Sequence, residues 1–424
     1  MFAPKAKNDM LARMKIGLAL WVLCLSVITV SAGNWARFRG PDGAGQSDDQ
    51  GIPSVWTKDD CVWRVDLPGV GHSSPVVWDD RVFVTSALEA DGTKIIQSLS
   101  TRDGSLIWEK RFPTTPSDLG RSTSHDKSTP AVDAERIYLV WASTDGYQVE
   151  ALDQRSGEEV WRRHLGSFSG EHGSGASPIR YQDLLIVPND QTGPSSTVAL
   201  DCATGAIRWS VDRRSVKTAY STPFIYHPDD GPVQLIQAST AHGVSSLDPD
   251  TGRLHWELPD VFGTIRVTGS PVAASGLIFA QCGAGGAGKR MVAVKPPDPV
   301  IAAPAKVAYE VAGSVPYVPT PVAHGNWLFI WNDSGIVSCI DAAGGERVWR
   351  ERVGGSYFGS PIRVGDRIYC ISREGEVVVI AAKPEFELLG RVDLEEGSHS
   401  TPAVADGVMY LRTFSQLMAV GGSR

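Results

Sequence analysis

Short apolar runs rich in β-branched and aromatic residues recur along the chain between Asp and Gly turns, as in Arg81-Val82-Phe83-Val84, Arg136-Ile137-Tyr138-Leu139 and Arg367-Ile368-Tyr369-Cys370. Runs of this length and composition predict strands of an antiparallel meander. No stretch after residue 32 carries a helical period. Two signatures group the strands into units. A small residue, Pro and an apolar strand occur together eight times, at Ser74-Pro75, Thr129-Pro130, Ser177-Pro178, Thr222-Pro223, Ser270-Pro271, Thr320-Pro321, Ser360-Pro361 and Thr401-Pro402. Consecutive prolines lie 40 to 55 residues apart, near 47 on average. A turn then leads to a Trp four residues after its Gly in Gly104 to Trp108, Gly157 to Trp161, Gly205 to Trp209, Gly252 to Trp256 and Gly345 to Trp349.

Roughly four strands per repeat describe a propeller blade, and a four-stranded sheet that cannot bury both faces alone must stack on its neighbours around an axis. Pro fits the start of the innermost strand, where a missing N–H is tolerated. Trp63, Trp108, Trp161, Trp209, Trp256 and Trp349 are expected to fill the gaps between blades, each indole N–H finding a backbone carbonyl. The eighth unit, from Thr401-Pro402 to Val420, lacks a Trp strand, whereas Val62-Trp63-Arg64-Val65 is a Trp strand without a blade. The expected fold is therefore all-β: one eight-bladed β-propeller of four-stranded antiparallel blades, closed by the N-terminal strand joining the last blade. That replaces the three domains that 424 residues would otherwise suggest.

Residues 1–32 read as an address. Met14-Lys15 precedes an apolar run from Ile16 to Val30, and Val30-Ser31-Ala32 ends in small residues, the order of a secretory signal. The run is short for a membrane span of about 20 residues. The expected parts are a signal peptide at 1–32, an N-terminal segment packed on the propeller at 33–59 and the propeller at 60–424, in an exported, periplasmic or extracytoplasmic monomer with no stable membrane span once the signal is removed. A retained anchor is the alternative. Hydrophobic residues at 42% and charged residues at 21% exclude extended disorder, and the 44 glycines fit a chain of many turns. The net charge of −8 becomes −11 without residues 1–32, which argues against nucleic acid as a partner. Cys61, Cys202, Cys282, Cys339 and Cys370 form no CxxC or vicinal pair and read as buried packing residues, with a Cys339–Cys370 bridge as an alternative. The Gly-rich stretch Gly283 to Lys289 reads as a hairpin tip, since Arg290 stands where a phosphate loop needs Ser or Thr.

Ala199-Leu200-Asp201-Cys202-Ala203-Thr204-Gly205 through Trp209 resembles the tryptophan-docking motif A-x-D-x-x-T-G-x-x-x-W of the pyrroloquinoline-quinone (PQQ) repeat family. The units around Asp153 to Trp161, Asp248 to Trp256 and Asp341 to Trp349 keep most of it; the fifth unit loses the Trp and inserts Pro296 to Pro304, and the seventh puts Gly390 in its place. The resemblance covers residues 55 to 421 and implies the propeller fold. It leaves function open, because the family includes quinoprotein alcohol dehydrogenases and also quinone-free proteins such as the BamB-type outer-membrane assembly lipoprotein. The dehydrogenases are longer and carry a vicinal Cys-Cys pair and a Glu/Asn/Asp set for Ca²⁺, neither of which is matched here. Trp35 to Gly45 resembles the N-terminal segment of exported planctomycete-type propellers of this family.

Residues just before each innermost strand ring one mouth of a propeller channel, the default ligand site. Those positions offer His72, His125, Asp126, Lys127, Glu171, His172, Tyr220, Arg266, Tyr317, Tyr357 and His399 as a candidate binding funnel, with no catalytic residue assigned. Such a funnel would take an anionic or hydroxyl-rich small molecule, or a divalent metal through His72, His125, His172 and His399. The plainer alternative is a solvated mouth whose polar groups satisfy loop backbone. The functional expectation is a non-catalytic scaffold or binding module for protein or small-ligand partners, needing no cofactor and no metal; the alternative is a quinoprotein-like oxidoreductase holding PQQ with Ca²⁺.

Overall fold

The middle strands are buried along their length, as in Val82–Ala87 and Ile368–Ile371, and so are covered on both faces. The computed structural model describes residue 1 and residues 33–113, 127–143, 146–215, 217–285, 287–298 and 303–422. Among them the chain forms eight sheets, each built on an antiparallel meander of four strands, with one sheet carrying a fifth, parallel strand, Gln46–Ser47. Blade one comprises Val76–Trp78, Arg81–Ala87, Lys94–Ser100 and Leu106–Phe112. Blades two to seven repeat that order, and blade eight comprises Ala403–Ala405, Val408–Arg412 and Gln416–Gly421, completed by Cys61–Asp66. The last pairing, Trp63 opposite Ala419, joins the two ends of the propeller.

Hydrophobic clusters sit between blades rather than within them. Val322, Phe329 and Trp331 of blade six pack with Ile368, Cys370 and Ile380 of blade seven, and Ile186 and Trp209 of blade three with Leu235 and Leu247 of blade four. Each such side chain buries apolar area worth about 1.5–3 kcal/mol. Outer strands alternate instead, Ile207–Arg213 being exposed on one face, which is why they tolerate Arg and Glu.

The repeated Gly and Trp form a lock between consecutive blades. Gly104, Gly157, Gly205 and Gly252 all have positive φ, and a Cβ on any of them would stand 2.6–2.7 Å from the indole of the preceding blade, Trp63, Trp108, Trp161 and Trp209 respectively. Those four indoles donate to the carbonyls of Thr101, Gln154, Cys202 and Pro249 at 2.8–3.1 Å. Only Gly satisfies both the left-handed backbone and the close approach. The other two tryptophans differ from expectation where the next unit's motif is degenerate. Trp256, which precedes the degenerate unit of blade five, donates to Gln234 Oε1 in its own blade at 2.8 Å. Trp349 packs edge-on against Phe386, and its indole N–H has no partner among the described residues. Blade five substitutes Tyr309, whose ring lies over Gly345 and whose hydroxyl donates to Ala342 O at 2.5 Å. At Gly390 the backbone of Ser54 passes where a Trp would stand.

The five described cysteines have free thiols, four of them buried, so the Cys339–Cys370 bridge is not formed. Gly285 stands at the tip of the hairpin Leu277–Ala284 and Ala287–Lys295, and Lys289 pairs with Asp333 at 2.6 Å.

Candidate functional site

The eight residues preceding the blade prolines line the channel, and their identity has a function that smallness alone does not explain. Each N–H donates to the hydroxyl of its counterpart in the next blade. Ser74 donates to Thr129, Thr129 to Ser177, Ser177 to Thr222 and Thr222 to Ser270; Ser270 donates to Thr320, Thr320 to Ser360, Ser360 to Thr401, and Thr401 back to Ser74, all at 2.9–3.2 Å. Ser and Thr alternate without exception around this belt. The inner strands turn these N–H groups toward the axis, where no further strand can accept them, and the hydroxyls answer that requirement.

Below the belt the channel is filled by the segment from Trp35 to Gly45. Trp35 pairs with Val77 of blade one, Ala36 O accepts from Val132 of blade two, and Gln46–Ser47 adds a parallel strand to the inner edge of blade seven. Arg39 is 0% exposed and donates to the carbonyls of Thr320, Pro321, Pro361, Gly43 and Ala44 at 2.7–3.3 Å; Arg37, 5% exposed, reaches Pro223 O. Proline carbonyls have no following ladder at the inner edge, and an arginine fork is the side chain that satisfies several at once. Burial lowers the two guanidinium pKa values to about 10 for Arg37 and about 9 for Arg39, so both remain charged at neutral pH. The segment is thus inserted into the channel, deeper than a layer packed on the propeller.

Above the belt lies the channel mouth. His72 and His399 lie in contact with ring centroids 4.4 Å apart and planes tilted by 36°, and Phe414 lies 5.1–5.4 Å from both. Arg373 Nε donates to His399 Nε2 at 3.3 Å, and its guanidinium carbon lies 4.4 Å over the Phe358 ring. Burial, aided by neighbouring cations, lowers His72 to about 2 and His399 to about 4, so both imidazoles are neutral. Lys127 donates to His172 O at 3.1 Å and is lowered to about 8 by burial. Across the mouth Glu171 pairs with Arg266, Arg266 reaches the Tyr317 hydroxyl at 3.5 Å, and Tyr220 lies beside His172. Gly175 and Gly283 make room for the rings of Tyr220 and Tyr317.

Of the residues expected at the funnel, the structure brings His72 and His399 together in one cluster and Glu171, His172, Tyr220, Arg266 and Tyr317 in a second, with Lys127 between them. Tyr357 does not line the mouth: it is 0% exposed and packs edge-on against Trp331 between blades six and seven. His125 and Asp126 lie outside the described residues. His72, His172 and His399 do not converge as a metal set, and among the described residues no three His, Cys, Asp or Glu side chains do. Arg373, Phe414 and Asp333 were missed because they sit on hairpins between second and third strands, which open on the same mouth.

Residues 57–147, 145–299 and 302–420 match the PQQ-repeat family model described as outer membrane protein assembly factor BamB. The chain belongs to the PQQ-repeat family. Another similar sequence is a polyvinylalcohol dehydrogenase from a Pseudomonas species, 27% identical over 188 residues; the match covers 41% of this chain and only 27% of that protein's length. Among solved structures, this PQQ-repeat propeller resembles BamB from Moraxella catarrhalis, with a TM-score of 0.60 at 16% identity over 87% of this chain and 96% of that one. It also resembles the quinohemoprotein alcohol dehydrogenase of Comamonas testosteroni, with a TM-score of 0.66 at 13% identity over 92% and 81% of the two chains. A computationally designed protein, Ika8, gives 0.61 at 11% identity, covering 86% of this chain and all of that one. At these identities the solved structures share the fold alone.

Proposed function

We propose that the protein is an exported, non-catalytic PQQ-repeat propeller that binds a protein or small-ligand partner at the channel mouth ringed by the residues before each blade Pro. The observation that carries this reading is the plug: Arg37 and Arg39 bond inner-edge carbonyls below the belt, so a partner would meet the channel at the mouth above it. Export rests on the basic, apolar and small residues of positions 14–32. The quinoprotein alternative, which the polyvinylalcohol dehydrogenase match keeps in view, asks for PQQ and Ca²⁺. The mouth does not fit that pair. Its described carboxylates Glu171, Asp333, Glu374 and Glu396 are engaged with Arg266, Lys289, Ser356, and Thr413 and Ser415 respectively, no Cys-Cys pair exists in the sequence, and the described side chains offer no three-ligand set for a cation.

The test is reconstitution of the purified protein with PQQ and Ca²⁺, followed by dye-linked oxidation of primary alcohols and of polyvinyl alcohol. The expected result is no turnover above buffer and no quinone absorbance released on heating. Stoichiometric quinone with turnover would overturn the non-catalytic reading.

A further inference from the structure

We propose that this channel mouth binds a small organic or inorganic polyanion, one bearing two or more carboxylate or phosphate groups, between Lys127 and Arg373. The inference rests on the binding-module reading and gives the ligand its chemical class. It starts from how the charges at this mouth are spent. Glu171 is held by Arg266, Asp333 by Lys289 and two backbone N–H groups, Glu374 by Ser356, and Glu396 by Thr413 and Ser415. Every one of these carboxylates is committed inside the protein. Among the described residues, neither Lys127 nor Arg373 has a carboxylate within ion-pair distance; their partners are a carbonyl and an imidazole nitrogen. In a chain of net charge −8, two half-committed cations at one channel mouth stand against the overall sign.

The surroundings fit an anion as well. The Arg373 guanidinium carbon lies 4.4 Å over the ring of Phe358, which is 37% exposed, and this contact holds the group in place while leaving both terminal nitrogens for an oxyanion. Because His399 Nε2 accepts from Arg373, its proton sits on Nδ1, and the ring is a neutral donor. His72 Nδ1 is buried with no partner among the described residues. Arg39, charged and unpaired with any described carboxylate, supplies positive potential at the floor. The bonds of Arg37 and Arg39 across the axis leave the ligand to bind at the mouth rather than deeper in the channel.

The test measures melting of the purified protein with citrate and with inorganic pyrophosphate, against sodium chloride at matched ionic strength, in wild type, Lys127→Gln, Arg373→Gln and the distant control Lys383→Gln. Binding to the folded state raises its apparent stability. At least one polyanion is expected to stabilise wild type and Lys383→Gln beyond chloride, and titration should show binding at least tenfold weaker in Lys127→Gln or Arg373→Gln. Arg373 is exposed, so its variant should fold as wild type, and its melting point without ligand checks this. A polyanion effect no larger than that of chloride, or one unchanged in both mouth variants, overturns the proposal. Neither of those outcomes touches the non-catalytic reading, which the quinone assay tests separately.

Discussion

Gly205→Ala and Gly276→Ala make a matched pair that isolates the lock between blades. Both glycines have positive φ, +67° and +71°. At Gly276 a new Cβ meets nothing within 4 Å, so the substitution adds only the left-handed strain of an L residue, about 1 kcal/mol. At Gly205 the same Cβ would stand 2.6 Å from Cδ2 and Cε3 of Trp161. That indole is 8% exposed and tied to Cys202 O at 2.9 Å, so it can move away only by breaking its bond and reopening the gap between blades two and three. Overpacking of this kind costs a further 1–3 kcal/mol, roughly. Gly205→Ala is therefore expected to destabilise by about 2–4 kcal/mol and Gly276→Ala by about 1. Urea unfolding followed by tryptophan fluorescence reads both, provided the slopes of free energy against urea agree among the variants. Equal losses in the two variants, within about 0.5 kcal/mol, would refute the claim that the Gly–Trp approach is the tight contact.

Arg39→Met should cost about 3–5 kcal/mol in the same assay, because it strands buried carbonyls of two blades, and Arg39→Lys should recover less than half of that, since an ammonium cannot span Thr320, Pro321 and Pro361 together. Trp209→Phe should cost about 1 kcal/mol more than Trp349→Phe, because only Trp209 surrenders an indole bond, to Pro249 O. His72 and His399 make stability fall with acid. The unfolded imidazoles take up protons below about pH 6.5, while the folded ones, held near 2 and 4 and facing Lys127, Arg412 and Arg373 as well as Glu374, refuse them. Between pH 6.5 and 5 the loss is up to about 2 kcal/mol for each ring. Glu150, held up to about 7 by burial, acts in the opposite sense by weakening the fold as pH rises through 4.5 to 7, so the comparison with His72→Phe/His399→Phe isolates the imidazoles. A parallel pH profile in that variant would contradict the assignment.

Blade number, ring closure and the register of the tryptophans were legible because they are written locally, in a Pro period and a fixed Gly-to-Trp offset. The exceptions at Trp256 and Trp349 were not, because each depends on the next unit, where the Pro-rich insert and Phe386 have displaced the motif. The plug was hidden for a different reason. Arg37 and Arg39 bond to carbonyls of Pro223, Pro321 and Pro361, and a backbone oxygen leaves no mark in the sequence of its partner. Half of the mouth was legible from residues preceding each Pro. The other half comes from hairpins such as Ser372 to Glu376, which share that end only because a meander reverses direction at every strand. Tyr357 has the right sequence position and the wrong direction, its ring being drawn into the apolar interface against Trp331.

The hydroxyl belt has a parity. Ser and Thr can alternate around a closed circle only if the number of positions is even, and here eight positions return the pattern to Ser74 in register. Gaining or losing a single blade would set two like residues side by side, two methyls crowding or two missing, whereas adding or removing blades in twos would keep the order. The repeating unit of this channel is therefore a pair of blades, although the repeating unit of the sequence is one. Related propellers with an odd number of blades should carry one break in the Ser/Thr alternation, and their sequences alone will show whether they do.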